Sequence, residues 1–258
     1  MFFLYKFRLL IINNLNMKNF IISFLLTLSF GVNAQYYSIT YVNVPAENQA
    51  EFARIETQYW SKVAKASIDN GNQMAWGLVA AVGGVPNGWT HAFINVFETA
   101  EDLANSNQNW DSEGVLGISS SELNTVKLTD GGFSYQNWAV QTSIGAERTP
   151  ESVTVWNFAR PKNLAGFIDE NKNLWKKQFE SNMGGRISWG VGLKLNNRSQ
   201  DLSSVMTWDR YPSLADALES LNSYGGQLPR QSKMQEYDPE GWTAQIIVPV
   251  SYTHLRAH

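Results

Sequence analysis

Laid against itself at an offset of 111 to 115 residues, this sequence brings its aromatic landmarks into register in the same order twice. A repeat of that length constrains the fold more than composition does, because each copy must build the same unit and bury an apolar face against something. Ile39-Thr40-Tyr41-Val42-Asn43-Val44 aligns with Val153-Thr154-Val155-Trp156-Asn157-Phe158, and Ala50-Glu51-Phe52 with Ala165-Gly166-Phe167. Trp60 and Trp175 each follow the phenylalanine by eight residues, and Trp76-Gly77 then answers Trp189-Gly190. Phe97-Glu98 matches Trp208-Asp209, each just ahead of a Leu-Ala pair, and Trp138 matches Trp242 at a shorter offset of 104.

Periodicity gives each copy the same elements. Residues 36–44 and 152–158 are short, rich in β-branched and aromatic residues and bounded by proline, so they are predicted strands. Phe52, Ile55, Tyr59, Trp60 and Val63 recur at spacings of three and four within residues 47–70, which predicts a long amphipathic helix. Phe167, Ile168, Leu174, Trp175 and Phe179 form the matching stripe, and Gly71 and Gly184-Gly185 end the two helices. Two strands follow in each copy, residues 73–82 and 89–97 or 187–195 and 202–208, then a short helix and a last strand holding Trp138 or Trp242. The order is β-α-β-β-α-β, a ferredoxin-like unit. In residues 89–97 both faces are apolar, His91, Phe93, Asn95 and Phe97 on one and Thr90, Ala92, Ile94 and Val96 on the other. A sheet covered on one face only would expose polar residues on the other, so the second face must meet the second copy. The expected fold class is α+β, with two tandem ferredoxin-like repeats, residues 35–145 and 150–249, closing into an intramolecular pseudo-dimeric α+β barrel.

The ends of the chain are set apart from this repeat. Lys18 precedes an apolar run, Ile21 to Val32, and Val32-Asn33-Ala34 has small residues at the two positions signal peptidase reads. Residues 1–34 are therefore an expected export leader with Met17 as the start and cleavage after Ala34, which places the protein in the periplasm or outside the cell. At the other end, residues 250–258 match the in-frame translation of a sequencing adapter, so His254 and His258 carry no functional weight. The 215 residues between hold all ten tryptophans, no cysteine, and a net charge of −7 from 16 basic and 23 acidic side chains. An acidic chain without a basic run is a poor partner for nucleic acid, and no apolar run beyond the leader suggests stable membrane insertion. Without cysteine there is no disulfide, thiolate metal site or cysteine nucleophile.

The arrangement resembles the dimeric α+β barrel superfamily, which includes antibiotic-biosynthesis-type monooxygenases, stress-responsive barrel proteins and NIPSNAP-like proteins. The resemblance covers the 215 residues as topology and implies a cavity between sheet and helices. Haem-degrading members pair an asparagine and a tryptophan with a helical histidine; here His91 falls on a predicted strand, so that role does not carry over.

Candidate ligand-binding residues are Asn43 and Asn157, which stand at the same place in two predicted strands although asparagine is disfavoured there, with Asn95. To these are added the repeated tryptophans Trp60, Trp76, Trp175 and Trp189, which can stack a planar ligand or pack the core, and His91, the one histidine in the repeat region. The alternating oxygen ligands Asn105, Asn107, Asn109, Asp111 and Glu113 have Trp110 where a calcium loop needs glycine, and read as a solvated loop. No phosphate loop, HExxH, GxSxG or Cys-x-x-Cys occurs, so no metal or cofactor is expected. The residues point first to an exported structural or ligand-binding module that holds a small apolar or aromatic molecule, and second to a cofactor-independent monooxygenase acting on such a molecule. A titratable group such as His91, Glu56 or Asp209 with a shifted pKa inside a cavity separates the enzyme from the binding module. The connections 105–135 and 223–241 are longer than usual and are expected to act as lids over one end of the barrel.

Overall fold

Eight strands, β1 (Tyr36–Asn43), β2 (Ala75–Ala80), β3 (His91–Phe97), β4 (Asp130–Gly145), β5 (Val153–Ala159), β6 (Ser188–Lys194), β7 (Val205–Tyr211) and β8 (Trp242–Leu255), carry the repeated apolar runs. The structure is a computed structural model and describes residues 35–83, 85, 88–145, 152–223 and 229–255, with side chains through residue 249. The strands close into a barrel in the order β1-β3-β2-β8-β5-β7-β6-β4, every neighbouring pair antiparallel. Closure removes sheet edges, which an apolar eight-stranded sheet would otherwise expose. Read from β4, the order is β4-β1-β3-β2 and then β8-β5-β7-β6.

The last strand of each set is the long one, 16 residues in β4 and 14 in β8, because its two neighbours pair with successive stretches of it. β4 runs beside β1 as far as Ala139 and beside β6 from Trp138 to Gly145. β8 runs beside β5 from Trp242 to Pro249 and beside β2 from Val250 to Leu255. Residues 250–255, expected to stand outside the folded protein, thus continue a barrel strand. Ladder bonds are made by backbone, so any sequence without proline can fill that place. The leader with its cleavage site, and residues 256–258, lie outside the described residues.

The alternation predicted for β3 is present: Phe93 packs under the helices, while Ala92 and Ile94 face the barrel lumen. The lumen is filled by Trp138, Trp156, Trp208, Tyr41, Phe158 and Met206. Room for the rings comes from β6. A Cβ at Gly190 would lie 2.0 Å from Cζ2 of Trp208, whereas one at Gly192 would meet Met206 and Trp138 at 3.6 to 3.7 Å. Gly190→Ala is therefore expected to cost roughly 2–3 kcal/mol by overpacking. Gly192→Ala should change stability by less than about 1 kcal/mol, since the added Cβ makes ordinary contacts and otherwise only restricts the unfolded chain. Urea midpoints of the two variants check this; equal effects would contradict the ring packing.

Three sequence matches are corrected: Asn43 with Asn157, Trp138 with Trp242, and Phe97 with Trp208, since Phe97 stands two residues past Asn95 as Tyr211 does past Asp209, while Trp208 faces the lumen. The ladders set Trp76 opposite Asn95 and Trp189 opposite Asp209, and then Asn95 opposite Ser38 and Asp209 opposite Val155. With Trp76 equated to Trp189, the counterpart of Asn157 is Thr40 rather than Asn43. The match in the first strand was three residues out, and an odd slip exchanges the faces of a strand. Asn43 lines the lumen, while Asn157 lies on the helix side beside Asp209. Trp138 and Trp242 part in the same way: Trp138 is buried in the lumen and Trp242 packs on Phe167 beneath a helix.

Candidate functional site

Between β1 and β2 the chain forms an α-helix at Gln49–Ile55, a π-helical turn at Glu56–Trp60 and a second α-helix at Ser61–Asp69. Phe52, Ile55, Val63, Ala64 and Ile68 are buried against the sheet, as the apolar stripe predicts. The wide turn sits where hydroxyls compete for backbone carbonyls. Thr57 Oγ1 donates to Ala53 O at 2.7 Å and Ser61 Oγ to Thr57 O at 2.6 Å, contacts that loosen a helix. A second π turn, Asn171–Trp175, stands between Leu164–Glu170 and Lys176–Ser181, where Asn171 Nδ2 donates to Phe167 O at 2.8 Å. Such turns occur often at functional sites.

Each π turn roofs a cavity. The first cavity, about 270 Å³, has Glu56 and Trp60 above, Trp76, Phe93, Asn95, Phe133 and Tyr135 on the sheet below, and Trp110, Leu123 and Thr125 from the connection between β3 and β4. The connection is pinned to the roof by two bonds, Trp60 Nε1 to Leu123 O at 2.9 Å and Thr125 Oγ1 to Glu56 Oε1 at 2.6 Å. Its aromatic rings pack on one another, Trp60 edge-on to Trp110 at 6.1 Å and Phe93 against Phe133 at 5.9 Å. Asn107 and Trp110, from the run that mimics a calcium loop, belong to this wall, and no cluster of three metal-ligating side chains occurs among the described residues.

Glu56 is the charged group of this cavity. It is 4% exposed, and burial raises its carboxyl from an ordinary 4.5 to about 7, against the lowering effect of the Thr125 hydrogen bond. A carboxylate half-ionised near neutral pH inside an aromatic pocket can take and return a proton at working pH. On the wall of the same cavity, Asn95 Oδ1 is buried without a hydrogen-bond partner, an open acceptor. Unpaired buried acceptors are costly and uncommon, and a bound group that donates to this oxygen would relieve the cost.

The second cavity, about 350 Å³, lies under the other π turn and is lined by Asn171, Trp175, Trp189, Asp209, Trp242 and residues of the connection 234–241. Here the polar groups are satisfied. Arg186 pairs with Asp209, and Asn157 Nδ2 donates to Asp209 Oδ2 at 2.6 Å. Gln245 Nε2 in turn donates to Asn157 Oδ1 at 2.8 Å. Carboxylate and amide have exchanged places between the cavities: Glu56 and Asn95 in one, Asn171 and Asp209 in the other. Both long connections contribute walls to these helix–sheet cavities.

Of the predicted site residues, Trp60, Trp76 and Asn95 meet in the first cavity, and Trp175 and Trp189 in the second, with Asn157 behind it. Asn43 lies apart, in the lumen. His91 lines neither helix–sheet cavity: it packs on Phe52 at 5.3 Å, its Nδ1 is 2.9 Å from Thr90 Oγ1, and burial lowers its pKa. That is a packed histidine whose burial disfavours the charged form. Glu56, named from sequence only as a titratable group, is the residue that the cavity brings forward. Its signal was positional, since it interrupts the apolar stripe four residues after Phe52 and four before Trp60.

No family model and no curated protein matches the sequence. Solved structures do match in shape. A candidate monooxygenase from Fusobacterium nucleatum superposes with a TM-score of 0.56 at 13% identity, covering 87% of this chain and 95% of its own. A candidate monooxygenase from Lactobacillus acidophilus gives 0.55 at 12% identity, over 87% of this chain and 97% of its own. An anthrone oxidase-like protein gives 0.53 at 12% identity, over 88% and 94%. At such identities the likeness is one of fold, an α+β barrel of ferredoxin-like sheets.

Proposed function

We propose that the first cavity is an active site in which Glu56 removes a proton from a small planar aromatic substrate, whose carbanion then reacts with dioxygen without a bound cofactor. The observation that carries this is a carboxyl raised to about 7 inside an aromatic cavity whose wall also holds an unpartnered amide oxygen. A binding module needs no such group, so the balance moves from the binding module to the enzyme. The names of the fold neighbours, monooxygenases and an anthrone oxidase-like protein, agree with it.

The chemistry suits a methylene acidified by flanking aromatic rings and a carbonyl. Glu56 takes one of its protons; the carbanion adds dioxygen and, on regaining a proton, becomes a hydroperoxide. Loss of water leaves a carbonyl, so one dioxygen is consumed and one water formed for each CH2 oxidised. Trp60, Trp76 and Phe93 hold the ring plane, and Asn95 Oδ1 accepts from a substrate hydroxyl. Water kept out by the closing connection leaves the carboxylate poorly solvated and more basic.

On the same reading the chain is a tandem duplication whose copies have diverged. The repeated strand order, the paired π turns and the paired cavities support this. With Asn171 where the first copy has Glu56, the second copy keeps a place for a ligand without the base. Export to the periplasm or beyond rests on the leader sequence.

The test is oxidation of a hydroxylated anthrone, followed by oxygen uptake and quinone absorbance. Turnover should exceed the buffer rate, rise with pH through about 7 as Glu56 ionises, and fall at least about 100-fold in Glu56→Gln. A rate equal to buffer, or one unchanged in the variant, would overturn the proposal.

A further inference from the structure

The barrel lumen opens at one end into a third cavity of about 500 Å³, separate from both helix–sheet cavities. It is built from both halves of the chain: Tyr41, Asn43 and Gln136 from the first, Phe158, Lys194 and Ile246 from the second. We propose that this lumen mouth binds a neutral polyhydroxylated molecule of monosaccharide size.

Two side-chain atoms in its wall have no hydrogen-bond partner although they are buried, Tyr41 Oη and Gln136 Oε1. Tyr41 is 7% exposed, and its hydroxyl can donate and accept, while the Gln136 oxygen can only accept. The Gln136 oxygen needs a donor and the Tyr41 hydroxyl takes either role, and hydroxyl groups, which both donate and accept, can serve the two together. Charge argues for neutrality. Lys194 Nζ donates to Asp201 Oδ2 at 2.7 Å, the two side chains being 4% and 5% exposed, and Arg198 Nε donates to the other oxygen of Asp201 at 3.0 Å. Lys194 holds the Asp201 carboxyl down at about 2, so the pair stays formed across the physiological range, and Lys194 is engaged rather than open to an anion. Asp130 stands exposed at the rim, and Trp89 and Tyr41, whose centroids are 5.1 Å apart, offer ring surface against which the C–H face of a sugar can pack.

Water could fill the same space, and the experiment separates the two. The full chain is titrated with glucose, galactose, mannose, arabinose and myo-inositol by saturation-transfer NMR and calorimetry, alongside Tyr41→Phe, Gln136→Leu and Glu56→Gln. Tyr41→Phe removes a single oxygen, and its melting curve reports whether the fold is kept. Binding of at least one probe in the millimolar range or tighter is expected, weakened about tenfold or more by Tyr41→Phe and by Gln136→Leu and unchanged by Glu56→Gln. No binding of any probe, or binding indifferent to both lumen variants, would overturn the proposal and leave the mouth filled by water. The Glu56 arm keeps this outcome independent of the active-site proposal.

Discussion

Glu56→Gln is expected to make the protein more stable at pH 8 by about 3 kcal/mol and, under the proposed function, to remove turnover. The sign follows from linkage. The folded carboxyl titrates at about 7 and the unfolded one at its ordinary 4.5, so the native state holds its proton more tightly. The stability this lends is fully present below 4.5 and is lost as pH rises through 7. Glutamine keeps the shape, can still accept from Thr125 Oγ1, and never ionises, so the variant should match the parent near pH 4 and surpass it increasingly up to pH 8. Urea melts at a series of pH values check this. A variant less stable than the parent at pH 8 would mean that the carboxylate is well solvated or paired after all. A residue retained at a cost in stability fits an active site better than a core.

Asp209→Ala is expected to cost about 3–5 kcal/mol, the usual effect of breaking a buried ion pair from one side. Arg186 and Asp209 side chains are only 13% and 9% exposed. Removing the carboxylate leaves the guanidinium its contact with Met183 O and the faces of Phe179 and Tyr211, at 4.7 and 5.6 Å, and takes an acceptor from Asn157. Thermal denaturation measures the loss. Asp209→Asn should cost less, because the amide can still accept from Asn157 or Arg186. A change under about 1 kcal/mol in the alanine variant would show the pair to be a surface contact, where ion pairs contribute little.

The parts of the fold legible in the sequence were those written in periodicity. The apolar stripe from Phe52 to Val63 gave the helix, alternation in residues 89–97 gave a strand apolar on both faces, and that in turn required a second sheet. What periodicity does not carry is register. The third strand of the second half runs over Val205–Tyr211 rather than 202–208, and the same three-residue slip paired Asn43 with Asn157. Aromatic landmarks fix an alignment to within a turn of helix, but a strand's faces change with every residue. The candidate site was half legible for a related reason. Trp60, Trp76 and Asn95 stood out by type, whereas Thr125, Leu123 and Phe133 come from a connection whose sequence has no period, and only the closed fold sets them against the π turn. His91 stood out by type as well, and its surroundings are Phe52 and Thr90 rather than a carboxylate.

All of this turns on the ionisation of one side chain. With glutamate labelled at its carboxyl carbon and Glu56 assigned by comparison with Glu56→Gln, an NMR titration follows that carbon directly, without knowledge of any substrate. The midpoint is expected at about 7, well above the other glutamates. A midpoint near the ordinary 4.5 would mean that water reaches the carboxylate freely, and the first cavity would then hold no base.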